Sequence, residues 1–275
     1  MTFELKNSVA VLTGAASGIG AQLALALADK GVSLALVDIN ETGLQKTLSD
    51  VEKAGVFASA HIADTGDIEA VEALKASVCS AHPRVNLLIN NAGVTTLGSF
   101  IETECDEFDR IMAINFSGPV AITRAFLPLL METPQAQIVN ISSLFGLIGV
   151  GSQSAYCASK FALRGFSEAL RMELYDSPVG VTVVHPGGVR TNIAKSATIP
   201  KHARENNNDR RDYADSFLKL EASKAAAILV RAIEKRKQRV VIGNDAKALS
   251  AIQRLFPASY QKLLIASQKR RERSS

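Results

Sequence analysis

Seven short apolar runs alternate along this chain with longer segments in which apolar positions recur every three or four residues. The runs are Val9 to Thr13, Ser33 to Val37, about Val56 to Ala60, Asn86 to Ile89, Ile138 to Ile141, Val181 to Val184 and Val240 to Ile242. Each is short and almost unbroken in its apolar character, as expected of strands covered on both faces. Helical patterning fills Ala21 to Lys30, Thr42 through Val51, Asp67 to Ala81, Cys105 to Leu130, a stretch from about Ser154, and Ala222 to Lys237. Gly118-Pro119 predicts a bend in the fourth of these. Val9 to Ala28 carries no charge and could be mistaken for a membrane span or signal core. Gly14, Gly18 and Gly20 interrupt it and its period changes midway, so it reads as strand, turn and helix, and no targeting segment is expected.

Strand followed by helix, repeated, predicts an α/β fold of Rossmann type: a doubly wound parallel sheet of about seven strands, helices on both faces and ligands at the strands' carboxyl ends. With 275 residues and 47% hydrophobic content, one domain over 1–275 with one large core is expected. The net charge of +4 resides in the last fifteen residues, where Lys262, Lys269, Arg270, Arg271 and Arg273 face only Glu272. The main body is therefore neutral and offers no face for nucleic acid. Cys79, Cys105 and Cys157 are odd in number and widely spaced, which suggests neither disulfides nor zinc but a reducing, cytoplasmic setting. His61, His82, His185 and His202 form no ligand cluster, and no metal is expected.

The first strand runs into Gly14-Ala-Ala-Ser17-Gly18-Ile19-Gly20 and then a helix. Glycines allow a tight bend, and the helix N-terminus offers free N–H groups to a pyrophosphate. The second strand ends at Asp38, eighteen residues beyond Gly20, where a carboxylate can accept from both ribose hydroxyls and repel a 2′-phosphate. No Arg or Lys lies in Gly14 to Gly20 or Asp38 to Asn40, so NAD is favoured over NADP. Asp38 could instead cap the helix that begins near Thr42.

In Ile138 to Lys160, Ser143 follows a strand, and Tyr156 and Lys160 stand four apart on one helix face. An ammonium beside a phenol favours its anion, so Lys160 is expected to lower the pKa of Tyr156, with Ser143 holding a carbonyl or alcohol oxygen against it.

Ser143, Tyr156 and Lys160 at this spacing resemble the catalytic constellation of the short-chain dehydrogenase/reductase family, and the resemblance covers about residues 8 to 243. It implies hydride transfer between NAD(H) and a CH–OH group. Tyr156 would exchange the proton, Ser143 orient the oxygen, Lys160 bind ribose and tune Tyr156, and Asn115 complete a relay through water. It also implies cofactor contacts at Gly14, Ser17, Gly18, Ile19, Gly20, Asp38, Asp64, Thr65, Asn91, Ala92, Gly93, Pro186, Gly187, Val189 and Thr191, besides Tyr156 and Lys160. Thr65 departs mildly from the family, where an aliphatic residue is commoner. The resemblance further implies a substrate lid over about 192–218 and a homodimer or homotetramer.

Leu144, Phe145, Leu147, Ile148 and Val150 beside Ser143 suggest an apolar pocket for a bulky secondary alcohol or its ketone, or else packing beneath the lid. Leu249, Ile252, Leu255, Phe256, Leu263 and Leu264 recur at near-helical spacing in a basic extension over about 245–275, interrupted by Pro257. Such a segment either lies on an anionic membrane surface or packs on its own domain or another subunit. A non-catalytic NAD sensor or scaffold is the alternative function, although such proteins usually lose one of the three catalytic side chains, all of which are present here.

Overall fold

The computed structural model describes residues 2–201, 203 and 207–272, and for 207 and 267–272 it describes the backbone only. Seven parallel strands, β1 (Val9–Thr13), β2 (Ser33–Asp38), β3 (Ala58–Ile62), β4 (Leu87–Asn90), β5 (Ala136–Ile141), β6 (Val179–Pro186) and β9 (Arg239–Ile242), form one sheet in the order β3-β2-β1-β4-β5-β6-β9. The two-residue strands β7 (Val189–Arg190) and β8 (Leu220–Glu221) pair separately.

Each unbroken apolar run is resolved into two faces by the pleat. Leu12, Leu34, Leu36, Leu87, Ile89 and Val139 point to one core, where Leu23 and Leu27 of α1 (Gly18–Ala28), Leu44 of α2 (Glu41–Glu52) and Leu229 and Ile233 of α8 (Ala222–Glu234) meet them. Val11, Ala35, Val37, Leu88 and Ile138 point to the other, against Leu74 and Val78 of α3 (Ala70–Ala81), Ile122 and Phe126 of α5 (Gly118–Met131) and Leu170 of α6 (Ser154–Glu173). The chain leaves β1 for β2 on one side and reaches β4 on the other. That reversal opens a crevice at the carboxyl ends of β1 and β4.

Two elements depart from expectation. β3 begins two residues later than its apolar run suggests, because Val56-Phe57 is the approach to the strand and Phe57 is exposed. The long fourth helix is interrupted before Gly118-Pro119, by a π-helical turn at Ala113–Ser117 that separates α4 (Cys105–Met112) from α5. Pro119 is the second residue of α5, directly after that turn. The extra residue in the turn needs its own explanation, and Asn115 supplies it: the side chain is fully buried at the centre of the turn and hydrogen-bonded beyond the helix.

Beyond β9 the chain forms α9 (Asn244–Leu255) and α10 (Tyr260–Glu272), broken at Pro257 as expected. The segment between β7 and β8 contains α7 (Asn207–Asp215), and Asn206 of its polar run lies outside the described residues. So does Arg273, while the side chains of Lys269, Arg270 and Arg271 are likewise outside them.

Candidate active site

Six of the motifs singled out from the sequence stand at strand carboxyl ends on one edge of the sheet: Gly14 after β1, Asp38 closing β2, Asp64 after β3, Asn91 after β4, Ser143 after β5 and Pro186 closing β6. At the first of these, Gly14 and Gly20 face each other so closely that a methyl at Gly20 would overlap the Gly14 carbonyl oxygen. A side chain at Gly14 would come within 2.8 Å of Ala92 Cα. Thr13, which the sequence reading passed over, locks this approach. Its hydroxyl accepts the N–H groups of Asn91 (3.0 Å) and Ala92 (3.1 Å), while Asn91 Nδ2 donates to the Thr13 and Gly14 carbonyls, each at 3.0 Å. Its only signal was its place between a strand and the first glycine.

Asp38 is not a helix cap. Its two oxygens accept the N–H groups of Ala16 and Asn40, each at 2.9 Å, and the cap of α2 is Asn40, which accepts from Gly43. The carboxylate is thus fixed against the glycine turn. Asp64 accepts the Gly66 N–H at 2.8 Å, and Thr65 is buried behind it with its carbonyl against Gly118. On the far side, the Thr191 side chain covers Gly18, Val189 is buried, and Gly188 N–H donates to Asp245 of α9 at 2.8 Å. Gly187 packs directly on that same carboxylate. The N-terminus of α1 behind a tightly packed glycine turn, with the Asp38 carboxylate beside it, fits a dinucleotide. Among the described residues no three His, Cys, Asp or Glu side chains converge on a metal position.

Ser143, Tyr156 and Lys160 come together. Ser143 Oγ accepts the Phe145 N–H at 3.1 Å, and its carbonyl accepts from His185 Nδ1 at 3.0 Å. Tyr156 and Lys160 are both buried, with Lys160 Nζ 5.7 Å from the phenol ring centroid. Burial, rather than the Lys160 ammonium, is the largest influence on Tyr156 here. Burial pushes the phenol up to about 12, against a smaller opposing pull from the Ser143 hydroxyl. Burial likewise brings Lys160 down to about 8, and its Nζ donates to the Ile141 carbonyl at 3.0 Å rather than to the phenol. Burial disfavours the charged form of each group. Asn115 is gathered into the same cluster: its carboxamide exchanges two 2.9 Å hydrogen bonds with the Val94 backbone and donates to Ser159 Oγ at 3.0 Å. Gly93 lies between Asn115 and Lys160, with room for no side chain larger than its own hydrogen without displacing one of them.

All five apolar residues of the loop after Ser143 pack on the C-terminal helices, Phe145 and Val150 from its half-buried rim. Leu144, Leu147 and Ile148 are buried in a small core with Ala246 and Leu249 of α9 and Tyr260 and Leu264 of α10, so they pack beneath the C-terminal helices rather than beneath the lid segment. Phe145 also stands beside the catalytic group, edge-on to Tyr156 at 6.1 Å between centroids. Tyr260 Oη accepts the Gly149 N–H at 2.9 Å. The extension thus packs on its own domain.

Residues 8–201 match the family model described as short chain dehydrogenase. The putative oxidoreductase SadH of Mycobacterium tuberculosis is 41% identical over 269 residues, covering 96% of each chain, and mouse dehydrogenase/reductase SDR family member 7B is 32% identical, covering 98% of this chain and 84% of its own. Among solved structures, a short-chain dehydrogenase/reductase from Burkholderia phymatum in complex with NAD superposes with a TM-score of 0.84 at 28% identity, covering 92% of this chain and 94% of that one. With the Ser143, Tyr156 and Lys160 cluster lying at the end of the crevice that the glycine turn opens, and with relatives alike over nearly their whole length, this chain belongs to the short-chain dehydrogenase/reductase family of oxidoreductases.

Proposed function

We propose that this chain is an NAD(H)-dependent alcohol dehydrogenase or ketone reductase acting on a bulky apolar secondary alcohol or its ketone. The observation that carries the cofactor choice is the Asp38 carboxylate, pinned by the Ala16 and Asn40 N–H groups with no cation in the turn to receive a 2′-phosphate. When bound, the dinucleotide supplies the hydride donor or acceptor. In this reading the side chains do the rest. Ser143 orients the substrate oxygen, Tyr156 gives or takes its proton, and Lys160 holds the ribose and, once that contact replaces its bond to Ile141, lowers the phenol. Asn115 keeps Val94 and Ser159 in register with them. The motif residues from Gly14 to Thr191 named above form the cofactor cleft, and Phe145 supports an apolar substrate, as does the Tyr213–Phe217 ring pair of the lid segment 192–218, whose Phe217 carbonyl packs on Gly188.

The same proposal takes 1–275 as one domain that works in a reducing cytoplasm, consistent with three free cysteines. It takes the apolar groove of Val120, Leu127, Met131 and Phe166 between α5 and α6 as a homodimer contact, which sedimentation of the purified chain tests. Leu255, Phe256, Leu263 and Ile265 are exposed beside Arg254 and Lys262, which supports peripheral contact with an anionic membrane; the tail reading fails if the full chain does not float with anionic vesicles at low salt.

The deciding experiment is an absorbance screen at 340 nm with NAD and NADP against apolar secondary alcohols, sterols, retinoids and their ketones. NAD-linked turnover that disappears in Tyr156→Phe, with NADH binding kept within a few-fold, is expected. Turnover preferring NADP, or a preference unmoved in Asp38→Ala, would remove the cofactor assignment. Activity surviving in Tyr156→Phe would remove the acid/base assignment.

A further inference from the structure

The segment Val94 to Leu97 follows directly on Asn91-Ala92-Gly93, and three elements hold it. Asn115 closes on the Val94 backbone from the π turn. Gln153 closes on the next two residues from the start of α6: its Nε2 donates to the Thr96 carbonyl at 2.8 Å and its Oε1 accepts from the Thr95 hydroxyl at 2.9 Å. On the opposite edge stands Thr198, near the start of the segment 192–218. Thr198 N–H donates to the Thr95 carbonyl at 3.1 Å, and the Thr198 carbonyl accepts from Leu97 N–H at 2.9 Å and from Thr96 Oγ1 at 3.0 Å. Arg110 of α4 donates to the Thr198 hydroxyl at 3.0 Å.

The Gln153 amide has one allowed orientation, because the Thr96 carbonyl can only accept. Gln153, Thr95 and Thr96 are all buried, so each bond is made away from water, and an amide there would be costly with either end unpaired. An apolar side chain of similar volume would fill the space but take this partner from the Thr95 hydroxyl and the Thr96 carbonyl. The polar residue is therefore doing something packing alone does not need. Its position shows what: Gln153 is the N-cap residue of α6, its carbonyl accepts the Cys157 N–H at 2.8 Å, and Tyr156 lies three residues on in the same first turn.

We infer that Gln153 is a positioning residue that ties the Thr198 stretch, through Thr95 and Thr96, to the first turn of α6, and so sets the Tyr156 hydroxyl against Ser143. The inference rests on the acid/base reading of Tyr156. It separates Gln153 from Asn115, which grips the same segment one residue earlier but makes no bond to Thr95, Thr96 or Thr198 among the described residues.

The test compares Gln153→Leu, Gln153→Glu, Thr95→Val and Thr95→Ser in the full chain, with the substrate found by the screen. Gln153→Leu should lower kcat about 30-fold and raise KM, while NADH affinity measured by fluorescence stays within two-fold and the melting temperature within a few degrees. Thr95→Val, which keeps shape and loses the hydroxyl, should lower kcat about five-fold, and Thr95→Ser should restore it. Gln153→Glu should gain an activity limb that rises as pH falls, because only the protonated carboxyl can donate to the Thr96 carbonyl. Without a substrate, hydrogen exchange reads the same tie: Thr95→Val should speed exchange at both the Thr198 and the Cys157 amides, and Thr95→Ser should restore both. Unchanged kcat in Gln153→Leu, a loss that only follows the melting temperature, or faster exchange confined to one end overturns the inference. Tyr156→Phe separates the two claims. If it is inactive while the Gln153 and Thr95 variants behave as wild type, only the role of Gln153 falls; if it turns over normally, the reading beneath it falls.

Discussion

On the cofactor side of the crevice the glycine turn packs backbone on backbone with no room for a side chain; on the substrate side the loop has room to spare. A methyl at Gly20 would overlap the Gly14 carbonyl, whereas one at Gly151 would find nothing within 4 Å. Asp38 and Thr13 hold the cofactor turn through four main-chain N–H groups. The substrate loop is held instead by side chains from distant parts of the chain: His185 on the Ser143 carbonyl and Tyr260 on the Gly149 N–H. The first arrangement leaves almost no tolerance for a changed residue. The second can be retuned one side chain at a time, and it depends on protonation and on the C-terminal helices.

The largest effect that sharpens this contrast is expected at Gly20. Gly20→Val forces β-branched bulk into the Gly14 carbonyl, and separating the turn should cost several kcal/mol and abolish NADH binding by fluorescence. Gly151→Ala on the substrate side should change stability by less than about 0.5 kcal/mol and leave NADH binding unaltered. Equal losses in both variants would show that the two sides do not differ in this way.

Next in size is an acid limb on the substrate side. His185 is fully buried, its Nδ1 donates to Ser143, and burial brings it down to about 4 from an ordinary 6.5. Between those values the unfolded chain binds a proton that the folded chain refuses, so stability falls as pH drops from 6.5 towards 4, by up to about 3 kcal/mol. His61 and His82 are lowered by burial in the same sense, so the measurement is the difference between wild type and His185→Asn. Asn can donate from the place of Nδ1 without titrating. Urea unfolding at pH 7 and at pH 4.5 should show a smaller acid loss in the variant. An identical loss would mean that His185 takes no part in it.

The two sides also differed in how much could be read from the chain. The parallel sheet, the glycine turn and the strand-end placement of Asp38, Asn91, Ser143 and Pro186 were legible because each rests on local pattern: an apolar run, a turn residue, a helix. The π turn at Ala113–Ser117 was not, since Gly118-Pro119 offered a nearer cause for a bend and the demand for an extra residue comes from Val94 and Ser159, far away in sequence. The same holds for Gln153 and His185, polar residues whose partners are backbone groups about 57 and 42 positions away. Burial of Tyr156 and Lys160 was out of reach for a related reason: residue spacing reports proximity but not burial, and burial is the largest influence on both groups.

Tyr260→Phe should give the smallest effect and bears most directly on why the C-terminal helices are there. Removing one hydroxyl leaves the Gly149 N–H without its acceptor at a half-buried position, a loss of about 1 kcal/mol, and keeps the ring that packs with Leu144, Leu147 and Ile148. If α10 only fills space, melting should drop by a few degrees and kinetics should not move. If it shapes the wall beside Phe145, KM for the bulkiest substrates should rise several-fold, that for small ketones should hold, and NADH affinity should stay as it was. The second outcome is expected, because the bond is made to the loop that carries Ser143 while the only tie from α9 to the cofactor side among the described residues, Asp245 on Gly188, is untouched. A rise in KM for NADH in step with that for substrate would break the division between the two sides.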